Sequence, residues 1–159
     1  MQAIIFTGIQ ATGKSTFYKE NFINTHVRIN LDMLKTRARE SIILEACIKA
    51  GQSFVVDNTN PAVADRKKYI DMAHGARFKV IGYYFHSDLN EAINRNKERK
   101  GRENVPLPGI RSTHARLEAP TMGEGFDELF YVRMGQDGNF IIDNISDHKI
   151  SLSSTEEKE

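Results

Sequence analysis

The sequence predicts an α/β fold in which helices cover both faces of a parallel β-sheet. Three observations lead to it: short β-rich runs alternate with helix-like segments, the links between them are short, and no repeat or low-complexity tract interrupts the alternation. The length of 159 residues suits one domain, which we place at residues 1–150, followed by a polar, acidic tail at 151–159. The 40% apolar and 27% charged residues are typical of a globular protein.

The first half of the chain alternates three predicted strands with three predicted helices. Runs of β-branched and aromatic residues predict strands at QAIIFT (2–7), HVRIN (26–30) and SFVVD (53–57). Helices are predicted from Lys14 to about Asn24, from Asp32 to Lys49 and from about Ala62 to His74. In the second helix, the apolar residues predicted to form one buried side are Met33, Leu34, Ile42, Ile43, Ala46 and Ile48.

The second half begins with the longest predicted strand, RFKVIGYYF (77–85), and a helix from Asp88 to about Lys100. Residues 101–121 contain three of the four prolines and cannot form one regular helix, although GIRSTHARLEA (109–119) fits a helical segment within them. The runs DELFYVRM (127–134) and NFIID (139–143) flank GQDG. Asp-Gly between two β-rich runs predicts a closing hairpin.

Positive charge is concentrated in one segment, although the whole chain has a net charge of only +1. Residues 95–116 include seven Lys or Arg and two Glu, a local excess of +5 (seven minus two). Because Gly and Pro punctuate this segment, we interpret residues 100–120 as a basic lid inserted into the domain. The small total charge argues against a protein that coats nucleic acid.

Composition also excludes several classes of protein. No apolar run approaches the roughly 18 residues that a membrane helix needs, and the N-terminus lacks the pattern of a secretory signal. Cys47 is the only cysteine, so neither an internal disulfide nor a thiolate metal site is expected. We therefore predict a cytoplasmic protein that has no membrane partner, and we predict no particular oligomeric state.

The segment GIQATGKST, Gly8 to Thr16, fits the spacing GxxxxGKS of a phosphate-binding loop. A predicted strand precedes it and a predicted helix follows, so its backbone N–H groups form a nest at the positive end of that helix. Lys14 is expected to contact the β- and γ-phosphates of ATP, and the Ser15 hydroxyl to ligate Mg²⁺. The predicted ATP-binding residues of the loop are Gly8, Gln10, Ala11, Thr12, Gly13, Lys14, Ser15 and Thr16.

Two aspartates follow predicted strands at the same edge of the sheet. Asp57 ends SFVVD, where a carboxylate either reaches the Mg²⁺ ion through water or caps the next turn. Asp32 opens the helix after the second strand, at the edge where open α/β sheets bind ligands. We predict that Asp57 belongs to the metal site. We predict Asp32 as the general base that accepts a proton from an attacking hydroxyl, and its alternative role is a helix cap.

Arg95 and Arg99 are spaced one helical turn apart, on one predicted face of the helix that leads into the basic segment. Phosphoryl transfer needs cations over the equatorial oxygens of the phosphate being transferred. We therefore predict that both arginines bind ATP. The alternative is an ordinary solvated run of charge.

Seven motifs follow one another between Met1 and about Phe126: GIQATGKST, RINLD, FVVDNTNP, DRKKYI, YYF, RNKER and LEAPTMGEGF. Their order resembles the 5′-polynucleotide kinase family, including the kinase half of the bifunctional enzymes that heal DNA and RNA ends. The resemblance implies a P-loop NTPase fold of the nucleoside-kinase type, the cofactors ATP and Mg²⁺, and transfer of the γ-phosphate to a 5′-hydroxyl. By matching position, the resemblance implies that Lys14 and Ser15 hold ATP and the metal, and that Asp32 is the general base. It also implies that Asp57 belongs to the water shell of the metal and that Arg99 contacts the phosphate being transferred.

The chain departs from that family at Leu31. The family often has Asn-Arg-Asp where this chain has Asn-Leu-Asp (30–32), so an arginine expected near the phosphate of the acceptor is missing. Lys35, Arg37 and Arg39 are the predicted replacements, because phosphate contacts position a strand without reading its sequence. The family's phosphatase or ligase domain is also missing from the sequence, so we expect separate phosphatase or ligase proteins to complete any end healing.

Two further functions stay open beside the leading prediction, which is an ATP-dependent kinase for the 5′-hydroxyl of a DNA or RNA end. A P-loop kinase for a sugar, a nucleoside or an antibiotic uses the same scaffold, and Leu31 and the near-neutral charge favour it. The third function is a nucleotide-gated switch that has no acceptor. A GTPase of this kind needs Asn-Lys-x-Asp, and NKER (96–99) ends in arginine instead.

Overall fold

A six-stranded sheet forms the centre of the computed structural model, which describes residues 1–146; the predicted tail at 151–159 lies outside them. The strands are β1 (Gln2–Thr7), β2 (Val27–Ile29), β3 (Phe54–Val56), β4 (Lys79–Phe85), β5 (Glu128–Met134) and β6 (Phe140–Asn144). Their order across the sheet is β2-β3-β1-β4-β5-β6. Strands β1 to β5 run parallel, and β6 pairs antiparallel with β5. The predicted α/β fold and the closing hairpin are confirmed.

Helices cover both faces of this sheet. They are α1 (Lys14–Asn21), α2 (Leu31–Leu34), α3 (Arg37–Ala50), α4 (Val63–Gly75), α5 (Leu89–Lys97) and α6 (Leu107–Arg116). Alternate residues of β1 enter different apolar clusters: Ile5 packs with Leu44 and Tyr69, and Phe6 packs with Phe17 of α1. Because side chains of a strand alternate between its faces, β1 is buried on both. Across residues 1–146, none of the helices has the length and apolar character needed to cross a membrane.

The prediction of a single helix from Asp32 to Lys49 is wrong. Lys35 has a φ of +75°, which interrupts the helix after Leu34. Thr36 then begins α3 as its N-cap, since its hydroxyl accepts a hydrogen bond from the Arg39 N–H at 3.2 Å. The break separates the short helix that carries Asp32 from the longer helix behind it.

The predicted buried side of that region is also partly wrong. Met33 and Ile42 are 52% and 64% exposed, whereas Leu44 and Cys47 are buried in the core. The predicted apolar period runs through the break at Lys35, and the two helices on either side of the break do not share one face.

Helix α5 ends at Lys97, before the predicted end near Lys100. Arg99 therefore lies beyond the helix and does not share a helical face with Arg95. The buried Asn96 joins the end of α5 to the backbone of Val105. Its Nδ2 donates to the Val105 carbonyl (2.7 Å), and its Oδ1 accepts from the Val105 N–H (2.8 Å). Helix α6 follows within the predicted basic segment, so the segment contains a helical part as expected.

Candidate active site

The shape of the loop between β1 and α1 depends on its two glycines and on a hydrogen bond within the loop. Gly13 has a φ of +92°, which favours glycine, and the Thr12 hydroxyl donates to the Ile9 carbonyl at 2.9 Å. A Cβ atom on Gly8 would lie 2.9 Å from the Cβ of Phe85, so only glycine lets the loop pass this close to β4. The two glycines of the motif are thus required by conformation and by close approach.

Lys14 lies buried inside this loop. Its Nζ donates to the carbonyls of Gly8 (2.9 Å) and Ile9 (2.6 Å). The ammonium group is therefore held by backbone dipoles at the place where the loop motif predicts phosphate oxygens.

Several predicted site residues act electrostatically on Lys14. Burial lowers the pKa of Lys14 to about 8; the charges of Asp57 and Asp32 raise this pKa, and the charge of Arg99 lowers it. The charges of the two aspartates and of the predicted lid arginine are thus felt at the ammonium group of the loop lysine.

Asp57 lies directly beside the loop, because β3 pairs with β1. The Ser15 hydroxyl donates to Asp57 Oδ2 at 3.1 Å, and the Asp57 side chain is only 1% exposed. A hydroxyl and a carboxylate are the hard oxygen ligands that Mg²⁺ takes together with water and phosphate oxygens. Ser15 therefore fits a direct metal ligand, and Asp57 fits a ligand that acts through water.

Arg28 joins this pair and was not among the predicted site residues. Its Nε donates to Asp57 Oδ2 (2.8 Å), and its Nη2 donates to the Ser15 hydroxyl (2.9 Å). Its signal in the sequence was a single arginine in the predicted strand HVRIN. The contact of Arg28 with Asp57 could not be predicted from the sequence, because it depends on β2 lying next to β3.

Asp32 lies in the first turn of α2, after the end of β2. It does not cap this helix: Asn30 is the N-cap, and its Oδ1 accepts from the Met33 N–H at 2.9 Å. The Asp32 side chain is exposed, and it forms no hydrogen bond or ion pair with any residue of the described range 1–146. Strand β3 separates β2 from β1, so the two strands that lead to Asp32 and to the loop lie two spacings apart, about 10 Å.

The motif VDNTNP fixes the geometry around the two aspartates. Asn58 Oδ1 accepts from the Leu31 N–H at 2.8 Å, and Asn58 Nδ2 donates to Glu40 Oε2 at 3.1 Å. Asn30 Nδ2 donates to the Asp57 carbonyl at 2.6 Å. The end of β3 therefore holds the start of α2, and sequence reasoning missed this role of the two asparagines.

The family-like strings DRKKYI and EAPTMGEGF meet at Arg66. The guanidinium is fully buried, forms two hydrogen bonds with the Glu124 carboxylate (2.7 and 3.1 Å), and donates to the carbonyls of Asn60, Pro61 and Glu118. One arginine thus joins the segment after β3 to the segment after α6. These motifs maintain the architecture around the site, because Arg66 and Glu124 satisfy each other inside the protein.

On the other side of the loop, the predicted lid residues reach the phosphate-binding segment. Arg95 Nη1 donates to the Ala11 carbonyl at 3.4 Å, and Gln10 Nε2 donates to the Thr113 hydroxyl of α6 at 3.0 Å. Arg99 Nη1 donates to the Glu103 carbonyl at 3.2 Å. The basic segment is therefore joined to the loop through α5 and α6.

A cavity of about 340 Å³ opens beside the loop, between Thr12, Arg95 of α5 and Met134 of β5. Its volume lies in the range of small-ligand pockets. Arg95, a predicted ATP-binding residue, thus contacts the loop on one side and lines this cavity on the other.

The structure does not bring the predicted acceptor residues Lys35, Arg37 and Arg39 into contact with Asp32. All three are exposed, and among residues 1–146 none of them bonds to Asp32 or to the loop. Arg39 Nη1 donates to the Leu34 carbonyl at 3.4 Å. Arg37 and Arg39 lie in the first turn of α3, and Lys35 lies between α2 and α3.

Arg37 belongs to a second cluster that the sequence did not reveal, around the buried carboxylate of Glu40. Arg37 (3.1 Å), Lys68 (3.4 Å) and the Tyr69 hydroxyl (2.7 Å) all contact Glu40 Oε1. Burial raises the pKa of Glu40, but the hydrogen bonds from Tyr69 and Asn58 and the charges of Arg37 and Lys68 outweigh it, so the pKa is lowered. Two exposed cations thus converge on one buried carboxylate beside the site.

These features define a P-loop domain with the fold of a nucleotide kinase: a phosphate loop after β1, a carboxylate at the end of β3, and a second carboxylate after β2. The chain belongs to the AAA domain family AAA_33, which matches residues 4–120.

Curated relatives point to the same kinase family as the sequence motifs. The chain is 28% identical over 132 residues to the bifunctional polynucleotide phosphatase/kinase of Schizosaccharomyces pombe, a match that covers 80% of this chain and 32% of the relative. It is 38% identical over 73 residues to a protein of Acanthamoeba polyphaga mimivirus that carries the same name provisionally, covering 45% and 17% of the two chains. The chain spans about a third or less of these relatives, and the matches support the polynucleotide kinase family.

Among solved structures, the chain is similar to a gluconokinase from Sinorhizobium meliloti 1021. The TM-score is 0.61 at 18% sequence identity, covering 85% of this chain and 83% of the other. Identity at this level shows a shared fold alone.

Proposed function

We propose that this chain is an ATP- and Mg²⁺-dependent kinase that phosphorylates the 5′-hydroxyl of a polynucleotide. The observation that carries the proposal is the position of Asp32, an exposed carboxylate that has no partner among the described residues. It lies at the same sheet edge as the loop, and its charge raises the pKa of Lys14. The matches to polynucleotide phosphatase/kinases supply the class of acceptor.

In this proposal, the oxygen of the 5′-hydroxyl forms a bond to the γ-phosphorus while the bond from the γ-phosphorus to the leaving ADP breaks. Asp32 accepts the proton of the hydroxyl in this step. Lys14 exchanges its hydrogen bonds with the Gly8 and Ile9 carbonyls for phosphate oxygens. Arg99 turns from the Glu103 carbonyl to the transferring phosphate. Ser15 and Asp57 would hold the Mg²⁺ ion, which would supply positive charge to the phosphates of the nucleotide.

The acceptor strand is proposed to lie along the cations outside Asp32. Arg37 and Lys68 both contact the buried carboxylate of Glu40. Because two positive charges share one negative charge, this cluster keeps a net positive charge at the surface. Lys35 and Arg39 extend this charge. Contacts of this kind bind phosphates of any sequence, so we expect little preference for particular bases.

The test uses purified protein, Mg²⁺ and γ-labelled ATP with a 5′-hydroxyl oligonucleotide and, in parallel, the same oligonucleotide already phosphorylated at its 5′ end. Label on the first oligonucleotide alone is the expected result. Label on neither, with ATP still bound, contradicts the proposal.

A small-molecule kinase is the second candidate, because Leu31 stands where the related family often has an arginine and the fold is also that of a gluconokinase. Salt separates the two candidates. Binding through several backbone phosphates weakens steeply as salt rises, whereas a neutral metabolite hardly responds. A KM for the acceptor that is independent of salt, with label on a sugar or nucleoside, favours the second candidate.

A further inference from the structure

The Ser15 hydroxyl oxygen, which is the proposed metal ligand, accepts a hydrogen bond from the cationic side chain of Arg28. A hydroxyl has one proton and two lone pairs. Ser15 gives its proton to Asp57 Oδ2, which leaves the lone pairs for a cation. Arg28 Nη2 donates to this oxygen at 2.9 Å.

Arg28 is firmly engaged in this position. Its Nε binds the buried Asp57 carboxylate at 2.8 Å while Nη2 binds Ser15, so the planar guanidinium uses two of its donors on two adjacent oxygens. A guanidinium and Mg²⁺ on the same hydroxyl oxygen would place like charges within a few ångströms of each other. Simultaneous binding at full strength is therefore disfavoured.

We propose that Arg28 competes with Mg²⁺ for Ser15 and thereby sets the metal concentration at which the nucleotide site fills. This inference rests on the metal part of the proposed function and is independent of the acceptor. Without metal, Arg28 neutralises Asp57 and occupies Ser15. When the metal–nucleotide complex binds, Arg28 leaves the Ser15 oxygen.

The surroundings of Arg28 let its guanidinium leave the Ser15 oxygen. In the position described, its Cζ also lies 5.8 Å from the centre of the Tyr18 ring, within the range of a cation–π contact, so the ring is a further partner of Arg28 beside the two oxygens. The side chain is 27% exposed, on the strand at the edge of the sheet, so water also reaches it. The movement therefore requires no rearrangement of the core.

The test measures ATP binding by calorimetry over a series of free Mg²⁺ concentrations, with no acceptor present. Because a competing state lowers apparent affinity in proportion to its population, Arg28→Ala is expected to lower the half-saturating Mg²⁺ concentration about fivefold or more. Arg28→Gln, which keeps a donor for Asp57 but removes the charge, is expected to change it in the same direction. Lys67→Ala is the matched control, since it removes one positive charge from the exposed outer face of α4.

An unchanged or higher half-saturating Mg²⁺ concentration in the Arg28 variants overturns the inference, as does ATP binding that ignores Mg²⁺ in every variant. A second measurement needs no variant: the NMR signal of the Arg28 Nε–H is expected to move when Mg²⁺ and ATP are added, and not with ATP in EDTA. A signal that stays in place with Mg²⁺ and ATP also overturns it. Failure of the oligonucleotide assay leaves these results intact, so the inference and the choice of acceptor fail separately.

Discussion

Asn58 holds the first residue of the helix that carries Asp32, because its Oδ1 accepts a hydrogen bond from the Leu31 N–H at 2.8 Å. This helix has only four residues, too few to be stable by itself. Its position therefore depends on the side chains at its start, Asn30 and Asn58. The amide after β3 thus positions the proposed general base without touching a substrate.

Asn58→Ala is expected to lower kcat about tenfold while the Kd for ATP stays the same. The variant loses the acceptor for the half-buried Leu31 N–H and the donor to Glu40, so the free energy of unfolding is also expected to fall by about 1–2 kcal/mol. Steady-state kinetics, ATP calorimetry and urea unfolding measure the three quantities. Asn24→Ala, at an exposed position, is the control, and a normal kcat in Asn58→Ala would show that Asp32 is held by other contacts.

Glu40 gives a prediction about pH. Its pKa in the folded protein is lowered below the ordinary value of 4.5: burial opposes this, but the Tyr69 and Asn58 hydrogen bonds and the charges of Arg37 and Lys68 prevail. A lowered pKa means that the ionised carboxylate stabilises the fold above the pKa of the unfolded chain. This stabilisation is lost as the pH falls through the lower pKa of the folded protein.

Glu40→Gln is therefore expected to unfold with about 1–3 kcal/mol less free energy than the unmodified protein at pH 7. The difference between the two proteins is expected to be constant above about pH 5.5 and to shrink below the ordinary pKa of 4.5. Urea unfolding at a series of pH values measures it. A difference that stays constant down to pH 3 would mean that the stabilisation does not come from the charge of Glu40.

Local patterns were sufficient to predict the strands, the loop and the positions of the two aspartates after β2 and β3, while the roles of these aspartates stay predictions. A strand is recognised from its own residues, and the loop from the glycines and lysine that phosphate binding requires. The position of Asp57 beside Ser15 followed because carboxyl ends of parallel strands share one edge. These predictions needed no knowledge of which distant side chains meet.

Two of the contacts that sequence reasoning missed join distant parts of the chain. Arg28 meets Asp57 29 residues away, and Arg66 meets Glu124 58 residues away. Such pairs depend on the order of the strands and on how the helices pack against the sheet, which hydrophobic periodicity does not define. The break at Lys35 was also missed, because helix-compatible residues continue through it and nothing in the sequence indicates its positive φ.

Because Arg66 and Glu124 form a buried ion pair, we expect a substitution of Glu124 that removes only its charge to lower the stability of the protein strongly. Glu124→Gln leaves the buried guanidinium without its opposite charge, so the free energy of unfolding is expected to fall by about 3 kcal/mol or more. Thermal and urea unfolding measure it. Glu118→Gln is the matched control in the same motif, because only its backbone carbonyl contacts Arg66 and its side chain is exposed. Equal stability of the two variants would contradict this role of the pair.

Asp32→Asn is expected to lower the rate of phosphoryl transfer without changing the binding of ATP. The amide has nearly the shape of the carboxylate but cannot accept the proton, so kcat for 5′-hydroxyl labelling is expected to fall by about 10²–10⁴-fold. Because Asp32 forms no hydrogen bond or ion pair within residues 1–146, the fold and the Kd for ATP are expected to change little. Single-turnover labelling, calorimetry and thermal unfolding measure the three effects.

Asp71→Asn provides the control for this substitution, since it removes a carboxylate from an exposed ion pair with Lys67 on α4 and is expected to leave labelling unchanged. A low rate in Asp32→Asn with normal ATP binding would place the loss in the transition state, where a general base acts. A rate within about threefold of the unmodified protein would instead mean that the hydroxyl loses its proton without help from this carboxylate. Such a result would overturn the assignment of Asp32 while leaving the nucleotide site, the fold and the Mg²⁺ competition by Arg28 open to their own tests.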